Sequence, residues 1–373
     1  MDNFTITDLK MQNRSRVFNL IYHSGKTCKQ DIAAALGLSL PTVSHNLKEL
    51  EEMGLIEKKG YFASSGGRKA QVISCVAESR IAIGVETTGN HLRMCAVDLL
   101  GQVISVQRVS LKYCNTDAYY QAFGERILEF IDSLKIPSGK IMGVGITVQG
   151  LVSPDGQQIV YAKLMDDTSA TLADFSRYLP YPCHLMHDSE AAAAAELWLS
   201  PEIKDAVYIS LSQRIGTAVI INGMIHHGSG IGSGRVEHMT VRPQGLPCYC
   251  GRQGCLDCYC SVAALCEDEK NLDLFFEKLR NGDEEAIAKW KAYTDILTSA
   301  IANIYMVIDC EVILGGSLSS YLTKEDAEAL NGDTFSKCYF PNKKIYARLG
   351  KGPRTVISMG AALHYIREFL DAV

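Results

Sequence analysis

Apolar residues recur at helical spacing along the N-terminal part of the chain, with polar residues between them. The spacing predicts a helix over residues 11–22, a short helix over 28–36 and a third helix after Ser39. Gly37 ends the second helix, and Ser39 is a typical N-cap. Pro41 falls in the first turn of the third helix, where no amide hydrogen is required. The pattern therefore predicts three packed helices.

A two-stranded wing is predicted after these helices. The runs 57–62 and 70–73 have strand character, and the loop 64–69 between them is rich in Ser, Gly and basic residues. Helices joined by a tight glycine turn and followed by a wing are typical of a winged helix-turn-helix. We therefore predict that residues 1–75 bind double-stranded DNA, the alternative being a three-helix protein-interaction domain. The predicted DNA-contacting residues are Ser39, Thr42, Ser44, His45, Asn46, Lys48, Lys58 and Arg68.

From residue 79 to residue 373 the pattern changes to short β-branched runs that alternate with helices. Two groups of strands, each followed by helices, predict an α/β fold with two lobes around a cleft. The first lobe is predicted over residues 79–186 together with the C-terminal helix 358–373, and the second over 187–357. Asp188 falls at a strand end above this cleft. Its carboxylate is placed either to act as a general base or to cap the following helix.

Composition and charge limit the classes of protein that fit. Of the 373 residues, 47% are hydrophobic and 21% are charged, which is typical of a globular chain. The N-terminus lacks the pattern of a signal peptide, and no apolar run approaches the roughly 18 residues that span a bilayer. We therefore expect a cytoplasmic protein without membrane contact. Residues 1–72 hold ten Lys and Arg against seven Asp and Glu, whereas the remainder is acidic, so a polyanionic partner is expected for the N-terminal domain alone.

One imidazole and three thiols fall within a span of eighteen residues, 238–255. Such a set favours a tetrahedral Cys₃His zinc site, and glycines between the thiols allow the chain to fold around a metal. Four protein ligands leave no open position, so the Zn²⁺ is predicted to be structural. The alternatives are buried free thiols or a disulfide knot, and Cys258 and Cys260 are near enough in sequence to replace a ligand. The predicted metal ligands are His238, Cys248, Cys250 and Cys255.

Several motifs together resemble the ROK family of repressors, open reading frames and sugar kinases. They occur in the family's order along nearly the whole chain: the glycines of 143–150, Asn222-Gly223, Gly228, the His-then-Cys-x-Cys-x₄-Cys pattern, Leu314-Gly315-Gly316 and Gly360-Ala361-Ala362. The resemblance implies an actin-like, hexokinase-like fold with two lobes. Regulators of the family, unlike its kinases, carry an N-terminal helix-turn-helix that ends in a Gly-Gly-Arg loop like residues 66–68.

Both phosphate-binding loops of the family are altered in this sequence. The first, Asp-x-Gly-Gly-Thr in the kinases, reads Glu-Thr-Thr-Gly-Asn at residues 86–90. The second, Gly-Thr-Gly-x-Gly, reads Ser-Gln-Arg-Ile-Gly at residues 212–216. Side chains at these positions hinder the close approach of phosphate to backbone amides. We therefore expect that ATP binding is lost and that the chain is not an enzyme, with Asp188 at the vestigial position of the catalytic base.

The family's sugar-binding positions are partly retained. The resemblance assigns the effector site to Lys163, His187, Asp188, Arg235, His238 and Asp257. Lys163 and Arg235 replace uncharged or acidic residues of the kinases, and an Arg fork suits phosphate or carboxylate. The effector is therefore predicted to be a sugar, and more specifically an anionic one such as a sugar phosphate. In the alternative, Arg235 pairs with Glu237 or Glu86 and the pocket binds nothing.

The function predicted from these features is that of a sugar-responsive transcriptional regulator, specifically a repressor. It would bind operator DNA as a homodimer or homotetramer, and sugar binding would close the lobes and shift two winged helices relative to a palindromic site. One alternative is an active ATP-dependent sugar kinase fused to a DNA-binding domain, favoured by Asp188 and the intact Gly315-Gly316. Another is a DNA-binding protein that responds to a protein partner.

Overall fold

Three helices and a two-stranded antiparallel sheet make up the N-terminal unit. The structure is a computed structural model, and it describes residues 6–63, 69–163, 165, 169–339 and 345–373 of the chain. The prediction of three helices followed by a wing is confirmed, and β1 pairs with β2 from Ile56 opposite Cys75. The elements are α1 (Ile6–Ser24), α2 (Lys29–Leu36), α3 (Leu40–Glu52), β1 (Ile56–Tyr61) and β2 (Gln71–Cys75).

Local signals explain where these helices begin and end. Ser39 has extended backbone angles, and its Oγ accepts the Thr42 amide at 3.2 Å, so it caps α3. Gly37 closes α2 in the left-handed region at φ 63°, which glycine adopts without strain. The apolar faces meet in a small core of Val17, Phe18, Ile21, Ile32, Val43 and Leu50.

The first lobe is built on a five-stranded sheet. Its strands lie in the order β5-β4-β3-β6-β9, with β3, β6 and β9 mutually parallel and β4 and β5 antiparallel. Strand β3 is buried along its whole length, as expected for a strand covered on both faces. The elements are β3 (Ile81–Thr87), β4 (His91–Asp98), β5 (Val103–Ser110), α4 (Asp117–Ser133), β6 (Ile141–Val148), β7 (Leu151–Val152), β8 (Ile159–Tyr161), α5 (Leu172–Ser176) and β9 (Cys183–His187).

The second lobe repeats this plan. Its sheet has the order β12-β11-β10-β13-β14, in which β10, β13 and β14 are parallel. The two-lobed α/β fold predicted from the sequence is therefore confirmed. The elements are α6 (Asp188–Leu199), β10 (Ala206–Leu211), β11 (Ile215–Ile221), β12 (Met224–Ile225), α7 (Asp257–Cys260), α8 (Val262–Cys266), α9 (Leu272–Arg280), α10 (Glu284–Ile308), β13 (Glu311–Gly315), α11 (Lys324–Lys337) and β14 (Ala347–Leu349). The last helix, α12 (Val356–Ala372), packs on β3, β4 and β6 of the first lobe.

Helices α6 and α12 cross between the two sheets at very short range. A Cβ added to Gly360 would lie 1.7 Å from the Ala191 carbonyl oxygen, and one added to Gly84 would lie 1.7 Å from the Ser358 oxygen. Small residues are therefore required where α12 passes over α6 and β3. This packing fixes the first residue of α6, Asp188, in the cleft between the two sheets.

The C-terminal helix α12 also packs against the N-terminal unit. Phe369 of α12 packs edge-on against Phe18 of α1, with ring centroids 6.3 Å apart, and the Arg80 guanidinium lies 5.3 Å from the Phe369 ring centroid. The Tyr22 hydroxyl donates to the Leu99 carbonyl at 3.0 Å. The two units therefore share one apolar cluster.

Candidate functional site

The cleft between the two sheets contains a cavity of about 330 Å³. It opens above the ends of β6, β9 and β10, which is where ligands bind in open α/β sheets. Five of the six residues predicted to bind the effector line this cavity, so the structure brings them together as expected, while their roles stay predictions. They are Lys163, His187, Asp188, Arg235 and His238.

The imidazole and the three thiols of the predicted metal site converge in one cluster. Their ligand atoms all lie within 4.8 Å of one another. The Sγ atoms of Cys250 and Cys255 are 3.7 Å apart, and His238 Nδ1 is 3.6 Å from Cys248 Sγ. A tetrahedral zinc site with Zn–S bonds of about 2.3 Å has ligand–ligand edges of about 3.8 Å. The donor set and its spacing therefore fit a Cys₃His metal site.

Glycine geometry explains how such a short segment forms the cluster. Gly251 and Gly254 have φ values of 92° and 76°, which disfavour any side chain. A Cβ on Gly254 would lie 1.7 Å from the Arg242 carbonyl oxygen. The Cys260 thiol points away, toward the Tyr293 carbonyl at 3.6 Å, whereas the Cys258 thiol contacts the Pro247 carbonyl at 3.6 Å and also interacts with the Cys248 thiol. The four converging ligand groups are those of the predicted set, and Cys258 lies beside them.

Asp188 stands at the junction of β9 and α6, at the floor of the cavity. Burial raises the pKa of its carboxyl from 3.8 to about 7, although the Ser189 amide, 2.6 Å from Oδ1, acts in the opposite direction. His187 provides the helix cap instead, since its Nδ1 accepts the Ser189 amide at 3.2 Å. Burial lowers the pKa of His187, so its imidazole is neutral. A carboxyl with a pKa near 7 beside a neutral imidazole can exchange a proton or hydrogen bonds with a ligand hydroxyl.

Arg235 lies beside these two residues and is already paired. Its Nη2 is 3.2 Å from Glu190 Oε1, and its Nη1 is 3.4 Å from His187 Nε2. The alternative predicted that Arg235 pairs with Glu237 or Glu86, and both partners are wrong. Arg235 is nevertheless neutralised by a carboxylate, that of Glu190. Glu190 was missed by the sequence analysis, and the available signal was an acidic residue in the first turn of α6.

The two carboxylates proposed as Arg235 partners have other contacts. Glu86 is 2.8 Å from Arg93 Nη1, and burial is the main cause that raises its pKa. Glu237 hydrogen-bonds to the Thr217 hydroxyl, and burial raises its pKa to about 7. Both line the cavity. The cavity lining therefore contains several carboxyl groups, and those of Asp188 and Glu237 have a pKa near 7.

Asp257 is the one predicted effector residue that the structure places elsewhere. It is completely buried and lies outside the cavity lining. Its Oδ1 accepts the Ile215 amide at 2.7 Å and its Oδ2 accepts from Arg214 Nη1 at 3.0 Å. The prediction of effector contact by Asp257 is wrong, because this carboxylate holds the loop 212–216 in place. Arg214, the third residue of this altered loop, lines the cavity.

The turn between β3 and β4, which corresponds to the altered first phosphate loop, is closed by its own hydrogen bonds. The Thr88 amide donates to the His91 carbonyl at 3.0 Å, and Thr88 Oγ1 contacts the same carbonyl at 3.0 Å. Thr88 Oγ1 also accepts the His91 amide at 3.1 Å. These groups satisfy one another, so this turn has no free Thr88 amide to offer a phosphate.

The polar face of α3 is exposed over much of its length, as predicted. The side chains of His45 and Lys48 are 57% and 74% exposed and pair with Glu49 at 3.2 Å and Glu52 at 3.7 Å. Lys58 at the start of the wing lies 2.5 Å from Glu51. The cations available for phosphate are therefore held by carboxylates that DNA would have to displace. Arg68 lies outside the described residues.

Asn46 is an exception on this face. It is 3% exposed, and its Nδ2 donates to the Thr42 carbonyl at 2.9 Å. The prediction that Asn46 points toward DNA is therefore wrong. Ser39 and Ser44 remain at the surface, but their hydroxyls bond to Thr42 and to the Leu40 carbonyl.

Within the described chain, no helix has the length and apolar character needed to cross a membrane.

Comparison with known proteins gives two family matches. The model of the ROK family matches residues 82–326, which is more than half of the chain. The model of winged helix-turn-helix DNA-binding domains matches residues 12–57.

The chain also resembles characterised regulators in sequence. It is 29% identical over 269 residues to the DNA-binding transcriptional dual regulator NagC of Escherichia coli strain K12, covering 71% of this chain and 66% of that protein, slightly less than two-thirds of its length. It is 25% identical over 268 residues to the xylose repressor of Bacillus subtilis strain 168, covering 71% and 70% of the two chains.

Solved structures show the same fold at lower identity. A ROK family transcriptional regulator, a homolog of the E. coli MLC protein, superposes with a TM-score of 0.78 at 19% identity and covers 98% of this chain and 97% of its own. A ROK family glucokinase from Streptomyces griseus, solved with glucose and AMPPNP, has a TM-score of 0.64 at 20% identity and covers 76% and 98%. Regulators and kinases therefore share the architecture, and the winged helix-turn-helix is the part that separates them.

Proposed function

Because the chain belongs to the ROK family, we propose that it is a transcriptional repressor that binds operator DNA and responds to a sugar bound in its cleft. The proposal is supported by the winged helix-turn-helix match and by relatives named as repressors. The altered loops 86–90 and 212–216 support a binding role without catalysis.

The observation that carries the proposal is the path of α12. Ile357, in its first turn, lines the cavity, while Phe369, near its last turn, packs on the DNA-binding unit. The twelve residue steps from Ile357 to Phe369 span about 18 Å at the rise of an α-helix. A ligand that shifts α12 within the cleft would therefore move the surface around Phe369 on which the DNA-binding unit packs. This gives sugar and DNA a physical means of biasing the same element.

DNA recognition is assigned to the exposed face of α3 and to the wing. His45, Lys48 and Thr42 would reach base edges in the major groove, while Lys58 and Arg68 would contact phosphates. Because carboxylates pair with His45, Lys48 and Lys58 in the free protein, DNA binding would exchange these pairs for phosphate contacts. We expect a homodimer or homotetramer, since two winged helices are needed to read a palindromic site.

The effector is proposed to be a sugar or sugar phosphate. Asp188, His187 and the Nε2 side of His238 line the part of the cavity suited to ligand hydroxyls. Lys163 lies at the far wall, with its Nζ 3.9 Å from the position that a Cβ on Gly251 would take. A phosphate or carboxylate on the sugar would be directed to Lys163 in preference to Arg235, because Glu190 already neutralises the latter.

The metal proposed for the His238–Cys255 cluster is Zn²⁺. The cluster atoms would hold it through His238 Nδ1 and the thiolates of Cys248, Cys250 and Cys255. When bound, zinc supplies a rigid tetrahedral link and no catalytic position, because the protein fills every site. The chain itself then presents the remaining face of His238 to the cavity.

The test combines operator selection with an effector screen. Full-length protein would be used to select binding sequences from genomic fragments, and the affinity for a selected duplex measured by fluorescence anisotropy with and without each sugar. Thermal shifts with neutral sugars and their 6-phosphates would identify the ligand class. Loss of DNA affinity on addition of a stabilising sugar is expected. Specific DNA binding that no sugar alters would instead favour the protein-partner alternative.

The alternative of an active kinase is favoured by the position and raised pKa of Asp188. A coupled assay for ADP release over the same sugar panel separates the two. We expect no release above the rate of an Asp188→Asn variant. Sugar-dependent release in the native protein alone would replace the proposal with a bifunctional kinase.

A further inference from the structure

A carboxylate from elsewhere in the chain caps the loop 212–216. Glu269, in the short segment after α8, accepts the Gln213 backbone amide at 2.8 Å and the Ser317 hydroxyl at 2.8 Å, both through Oε1. The Gln213 side chain completes the contact, since its Oε1 accepts the Glu269 amide at 3.1 Å and its Nε2 donates to the Glu267 carbonyl at 2.7 Å. One carboxylate oxygen thus joins two loops that are far apart in sequence. The loops also bond directly to each other through Ser212 and Ser317, which are 105 residues apart.

These two loops lie at an edge of the second-lobe sheet where backbone amides and hydroxyls can bind an anion. Ser212 follows β10 and Ser317 follows β13, and the two strands are adjacent and parallel, so both loops lie at the carboxyl edge of the sheet. The Ser317 amide donates to Ser212 Oγ at 3.2 Å. Gly316 permits this approach at φ 84°, since a Cβ there would lie 2.6 Å from the Leu211 amide nitrogen. Convergent amide and hydroxyl donors at a strand edge are a typical oxyanion cradle.

We propose that Glu269 is an internal substitute for a phosphate group, occupying the oxyanion cradle of the second lobe and excluding nucleotide phosphates from the cleft. This adds a second barrier to nucleotide binding that is independent of the closed turn at Thr88. The substitute is covalently part of the chain, so it occupies the cradle at all nucleotide concentrations. The inference concerns the nucleotide end of the cleft and does not depend on the identity of the effector.

The backbone around Glu269 is arranged to hold this carboxylate in position. Glu267 adopts φ 67°, a left-handed conformation that is uncommon for a residue with a side chain. The turn is closed by the Asp268 amide bonding to the Cys266 carbonyl at 2.8 Å and by Asn271 Nδ2 bonding to the same carbonyl at 3.0 Å. Strain of this kind persists where surrounding contacts over-determine the segment.

Electrostatics across the cleft reinforce the exclusion. Glu269 is near enough to Glu86 of the first lobe to contribute to raising its pKa, after the larger effect of burial. A phosphate entering between the lobes would therefore meet two carboxyl groups as well as a filled cradle. Removal of Glu269 would free the Gln213 amide and the Ser317 hydroxyl and also remove one of these negative charges.

The experiment compares four full-length proteins: the native chain, Glu269→Ala, Glu269→Gln and Glu277→Ala. Glu277 is exposed on α9 and makes no contact with the cradle, so Glu277→Ala matches the charge change alone. Binding of inorganic pyrophosphate and of magnesium AMPPNP would be measured by calorimetry and by thermal shift. The two ligands separate recognition of the phosphate oxyanion from recognition of a whole nucleotide.

We expect Glu269→Ala to bind pyrophosphate at least about tenfold more tightly than either the native chain or Glu277→Ala, a change of about 1.4 kcal/mol. Glu269→Gln keeps both acceptor contacts and loses the charge, so a smaller gain in the same direction is expected. This variant decides the matter if Glu269→Ala does not fold. Equal pyrophosphate affinity in the folded Glu269 variants and the native chain would overturn the proposal, as would a gain of the same size in Glu277→Ala.

Discussion

Phe369→Ala should separate sugar binding from DNA binding, because Phe369 is the main aromatic contact between α12 and the DNA-binding unit. In the structure its ring meets Phe18 edge-on at 6.3 Å and lies under the Arg80 guanidinium at 5.3 Å. An aromatic pair of this geometry contributes about 0.5–1.5 kcal/mol, or roughly 2- to 13-fold in an equilibrium constant. Arg80 lies outside residues 1–75, so its cation–π contact holds Phe369 within the effector domain and does not add to this figure.

This magnitude is comparable to the coupling that it is expected to carry. Coupling free energies between two ligand sites are typically about 1–3 kcal/mol. We therefore expect the ratio of DNA dissociation constants with and without sugar to fall by roughly 2- to 13-fold in Phe369→Ala. Sugar affinity in the absence of DNA should stay within about threefold of the native value, because Phe369 is outside the cavity.

The assay is fluorescence anisotropy of a labelled operator duplex at several sugar concentrations, with calorimetry for sugar binding. Phe335→Ala is the matched control, since Phe335 is 49% exposed on α11 and lies away from the DNA-binding unit. Reciprocity requires that operator DNA weaken sugar binding less in Phe369→Ala than in the native chain. An unchanged sugar effect on DNA affinity in Phe369→Ala would refute the assignment of α12 as the coupling element.

Four further substitutions test the DNA-binding unit, the cleft and the metal cluster. Asn46→Ala should lower the stability of the DNA-binding unit by about 1 kcal/mol through loss of a buried hydrogen bond, whereas His45→Ala should weaken DNA binding and leave the melting temperature unchanged. The raised pKa of Asp188 means that its carboxyl stabilises the fold below about pH 4 and that this stability is lost as the pH rises through 7. Native stability should therefore fall over that window relative to Asp188→Asn, by about 4 kcal/mol in urea melts. Cys250→Ala should reduce bound zinc from one equivalent toward none by mass spectrometry of metals and impair repression.

Each of these predictions has a result that would contradict it. Equal DNA affinity in His45→Ala and the native chain would remove α3 from the interface. Parallel pH profiles for Asp188→Asn and the native chain would mean that the Asp188 carboxyl titrates normally. Cys114→Ala is the control for Cys250→Ala, because the Cys114 thiol is exposed and is not part of the cluster, so this change should leave zinc content intact. Repression that persists in Cys250→Ala without metal would contradict the structural role of zinc.

The sequence by itself determined the features that depend on neighbours within one helix, turn or short segment. The N-cap at Ser39, the left-handed Gly37 and the glycines beside Cys250 are local requirements, so the winged helix-turn-helix and the convergence of His238 with three cysteines were both predictable from the sequence. The burial of Asn46 was also within reach of the sequence, since it lies three residues after Val43 and four before Leu50, on the apolar face of α3. Helix α11 was not predicted, because few apolar residues recur there at helical spacing.

Only the tertiary structure decided how the charged groups of the cleft are paired. Asp257 bonds to Arg214 across 43 residues, Arg235 to Glu190 across 45, and Glu269 to Gln213 across 56. Charge type and spacing in sequence do not fix such pairs, because each carboxylate has several possible partners until the sheets and α12 bring one of them within hydrogen-bonding distance. The sequence therefore identified most of the polar residues of the cleft but not Glu190 or Glu269, and the packing of the two lobes determined which of them line the cavity and which hold the loops.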